Sequence, residues 1–277
     1  MSRNWIGLLG RVFGGLLIFV GVVIVAQPAA AITSGQRDEV HTNVGVVRFT
    51  TESGRFRCSG TLISPTVVLT AGHCTGDTGQ SPATNVYVSF NTDLPLDPLA
   101  PGITPEERAA RAANYITGTA HPDPGWDGKL SVSNQHDQGV VVLDAPATSK
   151  WPSITPAPLL PVGTLDSNQG ALKNETFILV GYGVEIGEKK TRIVVTERRF
   201  TTSFLKAVQD EVVTFQINDQ DSKAGGGSCF GDSGGPVFLG GYVVGDASYV
   251  NSLQCNATGG YQRVDTPYSR AFLDQFI

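Results

Sequence analysis

Histidine is scarce in this chain of 277 residues. Only His41, His73, His121 and His136 occur, and none lies in the C-terminal half. Cysteine is equally sparse, at four residues. No C-x-x-C pair is present, which removes the commonest zinc-ligand spacing. Nothing resembles a metal cluster or a nucleotide-binding glycine loop, so neither a metal nor an organic cofactor is expected. Basic residues are outnumbered 25 to 20 by acidic ones, for a formal charge of −5, and such a surface argues against nucleic acid as a partner. No internal repeat is evident, and long apolar runs are missing everywhere but at the N-terminus.

That exception reads as a targeting segment. Arg3 and Arg11 supply positive charge, Val12 to Ala26 is an apolar run of signal-peptide length, and Ala29-Ala30-Ala31 fits the small-x-small cleavage rule. An uncleaved anchor spanning Trp5 to Ala26 is the rival reading, and it would be the chain's only association with a membrane. Removal of residues 1–31 takes away Arg3 and Arg11, the only charges in that stretch, and moves the formal charge from −5 to −7. The four cysteines, Cys58, Cys74, Cys229 and Cys255, then imply disulfides and an oxidising compartment, with three pairings open from the sequence. The protein is expected to be secreted, whether extracellular or periplasmic.

The remaining 32–277 have the length of one all-β domain. Short β-branched or aromatic runs recur, among them Val44 to Phe49, Val67 to Thr70, Val86 to Phe90, Val140 to Leu143, Phe177 to Val180, Val212 to Ile217 and Tyr242 to Val244. Gly, Pro, Asn and Asp punctuate them, as in a sandwich or barrel. Residues 91–114 carry prolines at 95, 98, 101 and 105, and read as an inserted surface loop with a helical turn. Trp151 to Pro161 is a Pro-rich connection. The C-terminus predicts a helix capped by Thr266 with Pro267 in its first turn.

Two motifs carry the chemistry. Gly231-Asp232-Ser233-Gly234-Gly235-Pro236 places a serine in a turn of small residues, and Thr70-Ala71-Gly72-His73-Cys74 supplies a base far upstream. A serine hydroxyl needs such a base to act as a nucleophile at neutral pH. G-x-S-x-G also describes the nucleophile elbow of α/β-hydrolases, but that arrangement puts histidine after serine, and here every histidine precedes Ser233. Together the motifs resemble the trypsin/chymotrypsin family of serine endopeptidases, in a secreted, bacterial-type member.

The resemblance implies an all-β chain of two six-stranded antiparallel barrels, at about 32–150 and 160–265, with a C-terminal α-helix at 266–277. It implies a triad of Ser233 as nucleophile, His73 as base and Asp137 as the orienting acid, with Asp123, Asp127 and Asp144 as rival acids. Gly231 and Ser233 would form the oxyanion hole. Asp232 would pair with a new amino group on Ile32, whose Ile32-Thr33-Ser34-Gly35 resembles the family's mature start. The disulfides would be Cys58–Cys74 and Cys229–Cys255. Gly227 would lie at the base of the substrate pocket, beside Ser228, Ser248, Tyr249 and Gly259. A glycine at the base lacks the carboxylate that pairs with Arg or Lys, so an uncharged apolar P1 residue is expected. Val250 pointing inward would favour a small P1, and Gly259 as the opposite wall a larger one. Partners would be polypeptide substrates and protein protease inhibitors, met by a monomer. The alternative is a non-catalytic binding module on the same fold.

Overall fold

The computed structural model describes residues 32–130, 136–186, 192–218, 221 and 225–277. The expected signal segment, 1–31, lies outside them.

Six strands close into a barrel in the order Val44–Thr51, Gly54–Ser64, Val67–Thr70, Gly139–Leu143, Ile116–Pro122 and Thr84–Ser89, every pair antiparallel. Val47, Leu62, Val68, Val88 and Val141 fill one side of its wall and are buried. The continuous apolar runs follow from this: a strand with barrel core on one face and the rest of the molecule on the other buries both. Val44, Val46, Leu69 and Val140 belong instead to the larger core that includes the second half of the chain.

The second half is an antiparallel sheet of eight strands, including the short Gln36–Arg37, and it does not close as the first does. It comprises Phe177–Gly181, Arg199–Ser203, Leu205–Val208, Val212–Gln216, Pro236–Leu239, Tyr242–Val250 and Thr258–Arg263 besides that edge pair. The second half thus gives this sheet seven strands where six were expected, and the N-terminal Gln36–Arg37 adds the eighth. Register shifts within Tyr242–Val250 and Leu205–Val208 let the sheet curl.

Among the described residues three α-helices decorate the strands: α1 (Pro105–Ala112), α2 (Thr164–Leu172) and α3 (Pro267–Leu273). Helix α1 sits in the insert and is longer than the single turn expected. Thr104 and Glu107 form a reciprocal capping box at its start, with Pro105 in the first turn. Arg108 donates to the Pro98 carbonyl (2.8 Å), and Arg48 pairs with Asp97 (3.1 Å), tying the insert to itself and to the barrel. Thr266 caps α3 through the Ser269 N–H, as the sequence suggested, although the helix stops at Leu273. Among the described residues no helix is long and apolar enough to cross a membrane.

Candidate active site

The site lies where the barrel meets the second sheet. His73 occupies a short 3-10 turn, Gly72–Cys74, directly after Val67–Thr70. Asp137 precedes Gly139–Leu143, the strand paired with Val67–Thr70 in the register Thr70↔Gly139, so the register sets the two side chains together. His73 Nδ1 lies 3.0 and 2.9 Å from Asp137 Oδ1 and Oδ2, and the His73 backbone N–H donates to Oδ1 at 2.8 Å. The Ser248 hydroxyl donates to Oδ2 at 2.6 Å. Asp137 is buried, and all of these contacts are ones in which its oxygens accept. A Cβ at Gly72 would crowd the acid, standing 3.1 Å from Asp137 Oδ1.

The rival acids are engaged elsewhere. Asp123 accepts from Tyr268 (2.8 Å) and from the Gly125 N–H (2.7 Å), Asp144 accepts from Thr117, and Asp127 pairs with Lys129. His41 and His136, expected at the surface, are half-buried, His41 stacked on Phe238 and His136 against Tyr268.

Contacts between the halves hold the Ser233 turn against the strands that lead to His73. Its carbonyl accepts from the Ser59 N–H (2.8 Å), and the next residue, Gly234, presses so closely on Thr70 and Ala71 that no Cβ fits. Gly234 has φ +74°, a further reason for glycine there. Among the described residues no hydrogen bond joins His73 to the Ser233 hydroxyl. Such contacts commonly tighten only when substrate arrives. The Cys58–Cys74 disulfide staples the His73 turn, and Cys229–Cys255 joins the loop before Ser233 to the end of the strand pair behind the cavity.

Two backbone donors belong to the turn around Ser233. The Phe230 carbonyl accepts from the Val184 N–H (2.8 Å), and the Asp232 carbonyl accepts from the Gly235 N–H (2.8 Å). In a planar trans peptide the N–H points opposite to the C=O, so the N–H groups of Gly231 and Ser233 are aimed away from those partners. Neither donates to a protein acceptor among the described residues. Gly231 has φ +95°, which suits it to this turn. The Ser59 hydroxyl fixes the loop from the other half, donating to the Gly231 carbonyl (3.0 Å) and accepting from the Tyr182 N–H (2.9 Å).

Asp232 is fully buried, and burial pushes its carboxyl up to about 7 against the hydrogen bonds that lower it. Those donors are the N–H groups of Cys229 (2.8 Å), Gly183 (2.7 Å) and Ile32. Ile32 is itself buried, and Thr33 pairs with Gly227 through backbone bonds in both directions.

Beside Ser233 opens a cavity of about 270 Å³ lined by Leu130, Phe230, Ala247, Tyr249 and Val250 together with Ser228 and Ser248. Ser228, Ser248 and Tyr249, expected beside the substrate, line this cavity. Gly227 and Gly259 are not among the lining residues. Gly227 lies against Ile217, whose Cβ would be 2.0 Å from any Cβ at 227, and Gly259 packs behind Ser228 and Tyr261. It is Gly260 on which the Tyr249 ring rests, with no space for a methyl.

A buried polar chain behind the acid was not foreseen. Gln138 donates to Asp246 (3.3 Å) and accepts from Ser269 (2.6 Å). Burial first, and then the Asp137 charge, hold the Asp246 carboxyl well above the usual carboxylate range. Gln138, unusual beside the acid, thus links that buried carboxyl to helix α3. Trp126, buried with its ring 6.2 Å from that of His73, was also missed.

A family model described as Trypsin matches residues 32–271, and the chain belongs to the trypsin family of serine endopeptidases. Its fold is shared by several solved structures. HL collagenase is 16% identical, with 90% of this chain and 97% of that one covered at a TM-score of 0.60. Human heparin binding protein is 18% identical over 88% and 96%, with a TM-score of 0.60. The protease Anisep from Arthrobacter nicotinovorans is 17% identical over 83% and 93%, with a TM-score of 0.57. No curated protein matches.

Proposed function

We propose that the chain is a secreted endopeptidase working through Ser233, His73 and Asp137, with residues 1–31 removed and 32–277 forming the mature monomer. The family's mechanism, applied to these residues, runs in two halves. His73 takes the Ser233 hydroxyl proton while Oγ attacks the scissile carbonyl carbon. The carbonyl electron pair moves onto oxygen, facing the N–H groups of Gly231 and Ser233. His73 then gives its proton to the departing amine, leaving an acyl-enzyme that water hydrolyses by the same steps. The observation that carries this reading is the bidentate seat of His73 Nδ1 on a buried Asp137, which leaves the other ring nitrogen for the proton transfers. Two unspent backbone donors beside the nucleophile support it, since such donors are worth about 3 kcal/mol each to the reaction.

Fluorophosphonate tests it: in the processed protein the probe's adduct should map to Ser233, and casein should be cut. A correctly processed chain that shows neither would be a binding module on a protease fold.

The cavity supports an uncharged apolar P1 residue. Leu130, Phe230, Ala247 and Val250 line it, among the described residues no carboxylate does, and Gly227 cannot be given one without displacing Ile217. Burying a substrate cation there without a partner costs several kcal/mol. In a panel of peptide p-nitroanilides, those with apolar P1 should exceed Arg and Lys by about a hundredfold in kcat/KM. Best turnover with Arg would refute the assignment. Polypeptides are the substrates, and protein protease inhibitors that present a substrate-like loop would enter the same cleft.

A further inference from the structure

Arg57 has no role in the chemistry so far. It precedes Cys58 in the strand Gly54–Ser64, and its guanidinium reaches the nucleophile loop: a side-chain carbon at Gly231 would stand 3.6 Å from both Nε and Nη2. Among the described residues it has neither ion pair nor hydrogen bond. The carboxylates that attract it most are committed elsewhere, Asp232 to the N–H groups of Gly183 and Cys229, and Asp97 to Arg48. Burial, and then repulsion from Arg48, push its guanidinium down from the usual arginine range. A half-buried arginine without a counter-charge is costly to keep. This one lies in a chain with more acids than bases, so it is not part of a generally basic surface. A second cation is close by: the Arg192 guanidinium carbon stands 3.9 Å from the centre of the Phe230 ring, one residue from Gly231.

The position has a direction. The residue before the scissile bond occupies the cavity, which Arg57 does not line. The departing amine must face His73, which protonates it. His73 adjoins Cys74, and the Cys58–Cys74 disulfide leads from there to Arg57. The peptide beyond the cut therefore runs toward this guanidinium.

We propose that Arg57, assisted by Arg192, forms a subsite for an acidic side chain, Asp or Glu, one or two residues after the scissile bond. The subsite rests on the endopeptidase reading given above. A carboxylate there supplies the missing counter-charge through charge-assisted hydrogen bonds, and arginine's planar fork suits it. The pairing is made with the leaving segment, so it aids cleavage of intact polypeptides and is invisible to substrates that end in a small chromophore.

The test uses processed enzyme and internally quenched peptides that share one apolar P1 residue and differ only after the bond, carrying Asp, Glu, Ala or Lys. Acidic peptides should be preferred over the Ala peptide by about tenfold or more in kcat/KM, less so at high salt. Arg57→Gln should bring that ratio close to one, Arg57→Glu should invert it in favour of Lys, and Arg192→Gln should lower it by a smaller factor. Thermal melting confirms that each variant is folded. Equal cleavage of all the peptides by the wild type overturns the subsite. So does an Arg57→Gln variant that slows acidic peptides, the Ala peptide and a p-nitroanilide by one common factor, which would place Arg57 in the support of the oxyanion site. If fluorophosphonate fails to label the wild type and no peptide is cut, the endopeptidase reading fails and the subsite goes with it.

Discussion

Asp137→Asn should lower kcat by about 10⁴ while leaving the protein folded. Asp137 receives three donors and donates nothing: the His73 N–H, the His73 ring at Nδ1 and the Ser248 hydroxyl. An asparagine must turn its NH₂ toward one of them. If it faces the ring, His73 accepts at Nδ1 and carries its proton on the nitrogen that has to receive the serine proton. The loss is thus one of tautomer, not of shape. Ser233→Ala removes the nucleophile itself and should abolish fluorophosphonate labelling and reduce casein hydrolysis to background, by about 10⁶. The checks are active-site labelling, kcat on a peptide anilide, and a melting curve for each variant. An Asp137→Asn protein that retains most of its kcat would show that another group orients the histidine.

Keeping one residue ahead of Ile32, so that the chain begins at Ala31, should lower activity by about 10²- to 10³-fold, and Asp232→Asn should do the same. In the uncut chain the Ile32 N–H already faces Asp232, but as an amide it carries no charge. Ile32 also has φ +51°, a costly angle for a β-branched residue. Cutting after Ala31 abolishes that torsion and turns the amide into an ammonium beside a buried carboxyl. The pH dependence distinguishes the two forms. In the uncut chain the folded state holds the Asp232 proton to about pH 7, against a usual value of 3.8, so stability should fall as pH rises from about 4 to about 7 and level off above, by roughly 4 kcal/mol in all. With the ammonium in place the carboxylate is favoured instead, and the loss over that window should disappear. N-terminal sequencing, active-site titration and chemical denaturation at several pH values measure each part. A fully active protein with a residue before Ile32 would remove the pairing.

Much of this was legible in the sequence because its signals are local. The turn chemistry around Ser233, the small residues before His73 and the apolar strand after Asp137 each declare themselves within a few positions. The Thr266 cap and Pro267 mark the start of α3 in the same way. What escaped notice depends on partners distant in the chain. Asp246 reads as an ordinary polar residue in an alternating strand, and only the fold sets it behind Asp137 and within reach of Gln138, 108 positions away. Arg57 looks like a surface charge on an edge until the nucleophile loop is laid against it. Helix α2 has little amphipathic pattern and begins after a glycine with φ +77°, with no side-chain cap to mark it. Gly259 and Gly260 are indistinguishable as letters, and the strand register alone decides that Gly260 is the one facing Tyr249.

The hydroxyl of Ser59 has a consequence for the life of the chain. It comes from the half that leaves the ribosome first, yet the peptide groups it holds, at Tyr182 and Gly231, come from the half made last. Helix α3, later still, returns to that earlier half through Tyr268 on Asp123 and Ser269 on Gln138. Cutting power is therefore withheld during translation by connectivity alone, and the nascent polypeptide has no working blade to turn on the machinery that makes it.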